Sequence, residues 1–261
     1  MKRQHGSFGF IGGGRIVRII LEGLERKDRM PERVIVSDAG EEILRALKAR
    51  FPGIETAGAD PKQPAKADLV FIALHPPAIM GILGDIRPMI GENSIVVSLA
   101  PKLTIAQLSN GLGGFARIVR MIPNAPSIVN KGFNPVAFAS AFDEDEKKGL
   151  RKTFETLGDC PEVEEGTLEA YAILSAMGPT YLWFQLQELR EIGESFGLSP
   201  KQASRALNKM VKGAAKTLFD SGLSSAEVMN LVPVKPLADD EEAIRSAYRT
   251  KLTGLYAKLK P

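Results

Sequence analysis

The stretch that decides the fold is Phe8-Gly9-Phe10-Ile11-Gly12-Gly13-Gly14-Arg15-Ile16-Val17. An apolar run leads directly into three consecutive glycines, and a second apolar run with helical spacing follows them. Gly12 and Gly14 have the spacing of the first two glycines of the dinucleotide-binding fingerprint. The first permits a tight strand-to-helix turn, and the second lets a pyrophosphate approach a helix N-terminus. The third fingerprint position falls on Val17, which is bulkier than the usual glycine or alanine.

Short apolar runs alternate with helical patterns on both sides of this stretch. Runs that are apolar on both faces are typical of central strands in a parallel sheet covered by helices, and their alternation with helices predicts βαβ units. We predict strands at 7–11, 33–37, 68–74, 94–99, 117–121, 136–139 and 162–164. We predict helices at 15–24, 41–50 and 143–157.

The pattern changes after about Gly166, because no further strand is indicated. A helical run covers 167–196 with an interruption at Gly178-Pro179, and a second helix follows Ser199-Pro200. The last helix covers 239–260, where Asp239 and Glu242 have capping-box spacing. The predicted fold class is therefore α/β, with a Rossmann-type dinucleotide-binding domain over 1–165 and an all-α dimerisation domain over 166–261. The broad apolar faces of these helices predict a homodimer or a higher oligomer of dimers.

Composition excludes several classes of function. Lys and Arg number 34 and Asp and Glu 31, so the net charge of +3 argues against a nucleic-acid or membrane partner. A single cysteine, Cys160, and two histidines, His5 and His75, exclude an internal disulfide and a multi-histidine or multi-cysteine metal site. No run of about 18 apolar residues is present, so we expect a cytoplasmic protein.

The glycine stretch and the end of the second strand supply the candidate cofactor contacts. Asp38 follows Gly14 by 24 residues, where an acidic residue commonly hydrogen-bonds the adenosine ribose. This favours NAD(H), with NADP(H) as the alternative if Arg15 reaches a phosphate. The alternative for the three glycines is a plain turn without a ligand. The alternative for Asp38 is a turn residue that precedes Gly40. The predicted cofactor-binding residues here are Gly12, Gly13, Gly14, Arg15, Ile16, Ser37 and Asp38.

A second group of candidates follows the third central apolar run. Ala73, Leu74 and His75 lie at its carboxyl end, where open α/β sheets bind ligands. His75 could contact the cofactor or donate a proton. The alternative is a loop histidine whose main chain lines the cleft. Lys102 stands at a comparable strand end, and a solvated lysine is the interpretation that we favour for it.

Four blocks of sequence resemble the pyrroline-5-carboxylate reductase family. The blocks are Phe10–Gly14, Ala67–Pro76, Arg120–Pro126 and Leu174–Tyr181. The third block is similar to the family's Arg-Val-Met-Pro-Asn-Thr-Pro, and the fourth block is similar to its Leu-Ser-Gly-Ser-Gly-Pro-Ala-Tyr. The resemblance extends over nearly the whole chain.

The resemblance implies a Rossmann domain, a helical dimerisation domain and hydride transfer from NAD(P)H to a cyclic imine. It also implies Ser175, Thr180 and His75 as catalytic residues and adds Asn124 to the cofactor-binding set. With a cofactor that carries the hydride, the protein has to orient the substrate and exclude water.

The chain departs from the family pattern where the family has its substrate loop, Ser-Pro-Gly-Gly-Thr-Thr. Pro233-Val234-Lys235-Pro236-Leu237 stands there instead, with two prolines that have no N–H and no hydroxyl side chain. His75 replaces the family's lysine and Lys102 its usual glycine. We therefore expect an altered substrate, a small imine or keto acid. The rival hypothesis is a non-catalytic dinucleotide-binding dimer on the same scaffold.

Overall fold

The computed structural model describes residues 6–260, so His5 lies outside the described residues. The chain divides into two compact units, with the boundary between Met177 and Gly178. The first unit also includes the end of the chain from Tyr256, and the second covers Gly178–Leu255.

The first unit is built on a twisted sheet with helices on both faces. The strands of this unit are β1 (Ser7–Ile11), β2 (Arg33–Ser37), β3 (Glu55–Thr56), β4 (Leu69–Ile72), β5 (Ile95–Ser98), β6 (Ile118–Met121), β7 (Gly132–Phe133), β8 (Val136–Phe138) and β9 (Gly158–Asp159). Strands β7 and β9 pair with each other in a separate two-stranded sheet. The seven-stranded sheet has the order β3-β2-β1-β4-β5-β6-β8. All neighbours are parallel except β6 and β8. The strand order reverses direction between β1 and β4, which is where doubly wound sheets bind ligands.

Between residues 6 and 177 this unit has six α-helices. They are α1 (Arg15–Arg26), α2 (Glu41–Arg50), α3 (Pro76–Ile86), α4 (Ile105–Gly111), α5 (Glu144–Phe154) and α6 (Leu168–Tyr171). A π-helical turn, Ala172–Ala176, follows α6. Two apolar clusters cover the two faces of the sheet, and the rings of Phe10 and Phe71 stack at 4.7 Å in one of them. Burial on both faces explains why β1, β4 and β5 are nearly all apolar.

The second unit is helical. It contains α7 (Pro179–Ser195), α8 (Pro200–Asp220), α9 (Ser225–Met229) and most of α10 (Glu241–Leu259). Ser199 and Gln202 form a capping box at the start of α8, with the Ser199 Oγ accepting from the Gln202 N–H. Trp183, Phe184 and Phe219 are 54%, 68% and 79% exposed. None of the helices within 6–260 is long and apolar enough to cross a membrane.

The structure confirms the predicted fold class and most of the predicted elements, and it corrects three details. The predicted strand at 162–164 is wrong, since only Glu162 forms an isolated bridge, to Val136. The predicted capping box of Asp239 and Glu242 is wrong, because a 3₁₀ turn, Ala238–Asp240, precedes α10. Helices α3 and α4 were not predicted; α3 begins with two prolines, which suit a first helical turn.

Cys160 is buried in the apolar cluster that contains Phe10, as expected of a small hydrophobic residue. Removal of the thiol from water raises its pKa to about 12, because the thiolate would be poorly solvated there.

A buried ion pair holds three segments of the first unit together. Arg120 on β6 is 1% exposed and donates to Glu169 at 2.6 Å and to Glu165 at 3.0 Å. The same Glu169 oxygen accepts from the main-chain N–H of Lys102 at 3.1 Å, and Glu165 accepts from that of Ile105 at 2.6 Å. The pair therefore fixes the loop after β5 against the segment that leads into α6.

We predict that Glu169→Ala lowers the free energy of unfolding by about 3 kcal/mol, since it leaves a buried guanidinium with a single, partly exposed partner. The matched control is Glu55→Ala, which removes the partner of Arg33 where both side chains are about half exposed. Urea denaturation followed by circular dichroism measures both changes. Equal losses in the two variants would contradict a special role for the buried pair.

Candidate functional site

The turn between β1 and α1 approaches the neighbouring strands very closely. Gly12 has φ +97° and donates its N–H to the Ser37 carbonyl at 2.8 Å. A Cβ at Gly12 would lie 2.6 Å from the Ala73 carbonyl oxygen, so no larger residue fits. Gly14 is the N-cap of α1, and a Cβ built there has no atom within 4 Å. The turn is therefore closed on the protein side and open at the helix N-terminus, where backbone N–H groups favour an anion.

Asp38 is attached to this turn by its side chain. One carboxylate oxygen accepts from the Gly13 N–H at 2.7 Å and the other from the Gly40 N–H at 2.7 Å. The hydrogen bond to Gly40 agrees with the alternative interpretation of Asp38 as a turn residue. Each oxygen keeps a further acceptor position, so the carboxylate can also accept from a ribose hydroxyl.

A cleft of about 650 Å³ lies between the glycine turn and α2. Arg50 at its edge pairs with Glu22 and Glu25 at 2.7 and 2.6 Å, and the hydrogen bond from Arg50 holds the pKa of Glu22 below its ordinary value. Arg15 also lines the cleft, and it has no hydrogen-bond or ion-pair partner within residues 6–260. Arg18 lines the cleft too and pairs with Glu22 at 3.6 Å, so Arg15 is the guanidinium at this cleft that is available for a phosphate.

A second cleft, of about 550 Å³, lies at the carboxyl ends of β4 and β5. His75 lines both clefts, which places them side by side. Its main-chain carbonyl accepts from Ala78 and Ile79 at the start of α3, and its side chain is exposed. The walls of the second cleft are mainly apolar and include Ile16, Ala73, Leu74, Pro76, Pro77, Leu99, Ala100, Pro101 and Lys102.

Asn124 and Ser175 are joined directly. The Asn124 amide donates to the Ser175 carbonyl at 3.1 Å, and its oxygen accepts from the Phe133 N–H at 3.1 Å. The Ser175 hydroxyl donates to the Tyr171 carbonyl at 2.8 Å inside the π-helical turn. Asn124 therefore ties the end of β6 to the π-turn.

The predicted site residues fall into three groups. Gly13, Gly14, Arg15, Ile16, Ala73, Leu74 and His75 line the two clefts, whereas Gly12, Ser37 and Asp38 shape the turn beside them. Asn124 and Ser175 form the joint just described. Thr180 belongs to the helical unit, where it is exposed near the start of α7. In the part of the chain that is described, no cluster of His, Cys, Asp or Glu could hold a metal ion.

Sequence reasoning missed the link from Arg120 through Glu169 to Lys102. The available signal was Arg120 itself, a lone charge in the apolar run 118–121, which indicates a buried ion pair when the run is a central strand. The partners could not be found, because the two glutamates lie more than forty residues further along the chain.

The two clefts form a shape that suits a dinucleotide. The open N-terminus of α1 at Gly14 would receive the pyrophosphate, and the two clefts that share His75 would receive the two halves of the dinucleotide. A nicotinamide bound there supplies hydride chemistry.

Two family models match the chain. One describes an NADP oxidoreductase, coenzyme F420-dependent, and matches residues 7–102. The other describes the pyrroline-5-carboxylate reductase dimerisation domain and matches residues 165–257. The first match lies within the sheet-containing unit, and the second covers the whole of the helical unit.

Curated relatives and solved structures agree with these models. Pyrroline-5-carboxylate reductase from Corynebacterium melassecola is 28% identical over 94% of this chain and 92% of its own, and that from Escherichia coli K12 is 26% identical over 91% and 88%. The structure of the Coxiella burnetii enzyme has a TM-score of 0.68 at 28% identity, covering 98% of this chain and 94% of that one. The Plasmodium falciparum enzyme, solved with NADP bound, shares the fold, with a TM-score of 0.74 at 17% identity over 98% and 94%. Over nearly its whole length the chain is similar to the pyrroline-5-carboxylate reductase family, whose dimerisation domain matches residues 165–257.

Proposed function

We propose that this protein is an NAD(P)H-dependent reductase that transfers a hydride to the C=N bond of a small imine. The observation that carries the proposal is the open N-terminus of α1 at Gly14, which lines one of the two clefts that share His75. The family supports the reaction type. The domain boundary predicted near 165 remains part of the proposal, as does a cytoplasmic location.

The residues around the clefts have distinct roles in this proposal. The N–H groups of Gly12 and Gly13 are already bonded to Ser37 and Asp38 and shape the turn. The pyrophosphate is held by the N–H groups at the start of α1, from Gly14 onward, and the free guanidinium of Arg15 adds a positive charge. Ile16, Ala73 and Leu74 provide an apolar wall that excludes water from the nicotinamide. Asn124 holds the π-turn that carries Ser175. By resemblance to the family, Ser175, Thr180 and His75 contact the substrate.

We also propose that the substrate differs from pyrroline-5-carboxylate. The segment 233–237 is exposed and contains Pro233 and Pro236, which have no backbone N–H to offer. Glu241 and Glu242 occupy the first turn of α10, where they oppose an anion. Another small imine or a keto acid is the substrate class that we propose. The replaced loop equally supports the second candidate, a dinucleotide-binding dimer without catalysis.

The proposed assembly is a homodimer, or a higher oligomer of dimers, formed by the helical unit. Its large apolar side chains are exposed to an extent that is unusual for a monomer. Phe184, Phe196 and Phe219 are 68%, 81% and 79% exposed. A second copy of the chain would cover such a surface.

The function is tested by steady-state oxidation of NADH and NADPH with a panel of small cyclic imines and keto acids. We expect turnover with at least one of them and at least a hundredfold lower kcat/KM on pyrroline-5-carboxylate than in a relative with the intact loop, because several carboxylate donors are lost. Comparable kcat/KM would contradict the altered substrate. Binding of cofactor without turnover on the whole panel would favour the non-catalytic dimer.

The pyrophosphate site is tested by Gly14→Val. The backbone of Gly14, with φ −67° and ψ −168°, accepts a branched side chain, and no protein atom lies in its way. We therefore expect an unchanged melting temperature together with at least a hundredfold weaker NADH binding by fluorescence titration. The matched control is Gly53→Ala, since Gly53 also has open space around its Cβ but lies outside both clefts. Equal affinity in Gly14→Val and the parent would exclude this site.

Cofactor preference follows from the position of Asp38. A 2′-phosphate beside a fixed carboxylate should cost on the order of 1 kcal/mol, so we expect NADH to bind about five- to tenfold more tightly than NADPH. Asp38→Asn keeps an acceptor for the Gly13 N–H and should reduce that ratio. Titration of both cofactors measures it. Tighter NADPH binding by the parent would assign the specificity to Arg15 instead.

The assembly is tested by light scattering at micromolar concentration. We expect a dimer or a multiple of dimers, since obligate interfaces of this kind commonly bury more than about 2,000 Å². Phe184→Glu should shift the mass toward the monomer. The control Met80→Glu changes an exposed apolar residue of the first unit and should leave the mass unchanged. A stable monomeric parent would refute the proposal.

A further inference from the structure

Lys102 has a backbone conformation that lysine rarely adopts. Its φ is +76°, in the left-handed region that favours glycine, and it is one of three non-glycine residues with positive φ among residues 6–260. Such a conformation persists only where the surrounding structure enforces it, and it is found preferentially at ligand sites. The conformation of Lys102 therefore calls for a reason beyond a solvated side chain.

The surrounding structure enforces this conformation through a buried carboxylate. The Lys102 N–H donates to Glu169 at 3.1 Å, and Glu169 is held by Arg120 at 2.6 Å. Both members of that ion pair are at least 98% buried. The main chain of Lys102 is thus anchored to the interior, while its side chain lines the cleft at the ends of β4 and β5.

The charge in this cleft is unbalanced. Neither Lys102 nor His75 has a side-chain partner within the described part of the chain, and no carboxylate lines the cleft. The other walls are mainly apolar and bring no opposing charge to the ammonium group. An anion is the ligand chemistry that such a cleft attracts.

We propose that Lys102, assisted by His75, binds the carboxylate of the substrate. The inference rests on the proposed function and specifies its substrate class: a small imine or keto acid that carries a carboxylate. The anion is bound by the side chain of a residue in the first unit, so the segment 233–237 is not required to bind it. Arg120 and Glu169 are positioning residues, because they act through the main chain of Lys102.

The test uses the full-length protein saturated with NAD⁺. Calorimetric titration compares tetrahydrofuran-2-carboxylate with the uncharged tetrahydrofuran-2-carboxamide. In the parent we expect the carboxylate to bind at least tenfold more tightly than the amide. In Lys102→Gly we expect the two affinities to become equal, with NAD⁺ affinity unchanged and a melting temperature at or above that of the parent, since glycine accepts the positive φ. Lys102→Arg should restore part of the preference, and Lys62→Gly, an exposed lysine outside both clefts, should leave it intact.

The outcomes separate the two proposals. Binding of NAD⁺ with no carboxylate preference in the parent, or a preference that survives in Lys102→Gly, overturns the role of Lys102 and leaves the proposed function standing. Weaker NAD⁺ binding in Lys102→Gly, with the preference intact, assigns the ammonium group to the cofactor and also overturns it. Failure of the parent to bind NAD⁺ or NADH overturns both.

Discussion

The structure depends on one close approach, that of the Gly12 backbone to the Ala73 carbonyl. The contact leaves no room for a Cβ and requires a positive φ, so the chain must turn sharply as it leaves β1. That turn sets the start of α1 at the reversal of the strand order. The first helix therefore presents its N-terminal N–H groups to the ends of two neighbouring strands. The turn is tight toward Ala73 and open at Gly14, and the first cleft lies along its open side.

Much of the sheet unit could be predicted from the sequence, for a physical reason. Strands β1, β4 and β5 are buried on both faces, and a run that is apolar on both faces is readily recognised. The sequence did not predict helix α3, because two consecutive prolines, Pro76 and Pro77, are typical of a loop. Proline is nevertheless well suited to the first turn of a helix. The segment 162–164 failed as a strand because only one residue of it reaches a partner. The length and the apolar pattern of a segment predict that it can form a strand, whereas its pairing with another strand depends on the rest of the chain.

The candidate site was predictable where it depends on position along a strand. Gly12, Asp38 and His75 all follow strands whose carboxyl ends meet at one edge of the sheet, so their proximity follows from the topology. Contacts between distant segments were not predictable. Neither the attachment of Asp38 to the Gly13 N–H nor the anchoring of Lys102 by Glu169 leaves a local pattern in the sequence. The sequence therefore indicated which residues surround the clefts, but not which of them are already committed to structural bonds.

The attachment of Asp38 to the glycine turn has a consequence for engineering and for evolution. In such folds the acidic residue after the second strand favours NAD, and a nearby arginine accommodates the 2′-phosphate of NADP, so this position is the obvious one at which to change cofactor preference. In this chain the same carboxylate accepts two backbone N–H groups, at Gly13 and Gly40, and thereby shapes the turn. A replacement without an acceptor would change the discrimination between cofactors and loosen the binding loop in a single step. Mutational routes from one cofactor to the other are thus restricted to side chains that preserve those bonds, or must pass through a compensating change elsewhere in the turn.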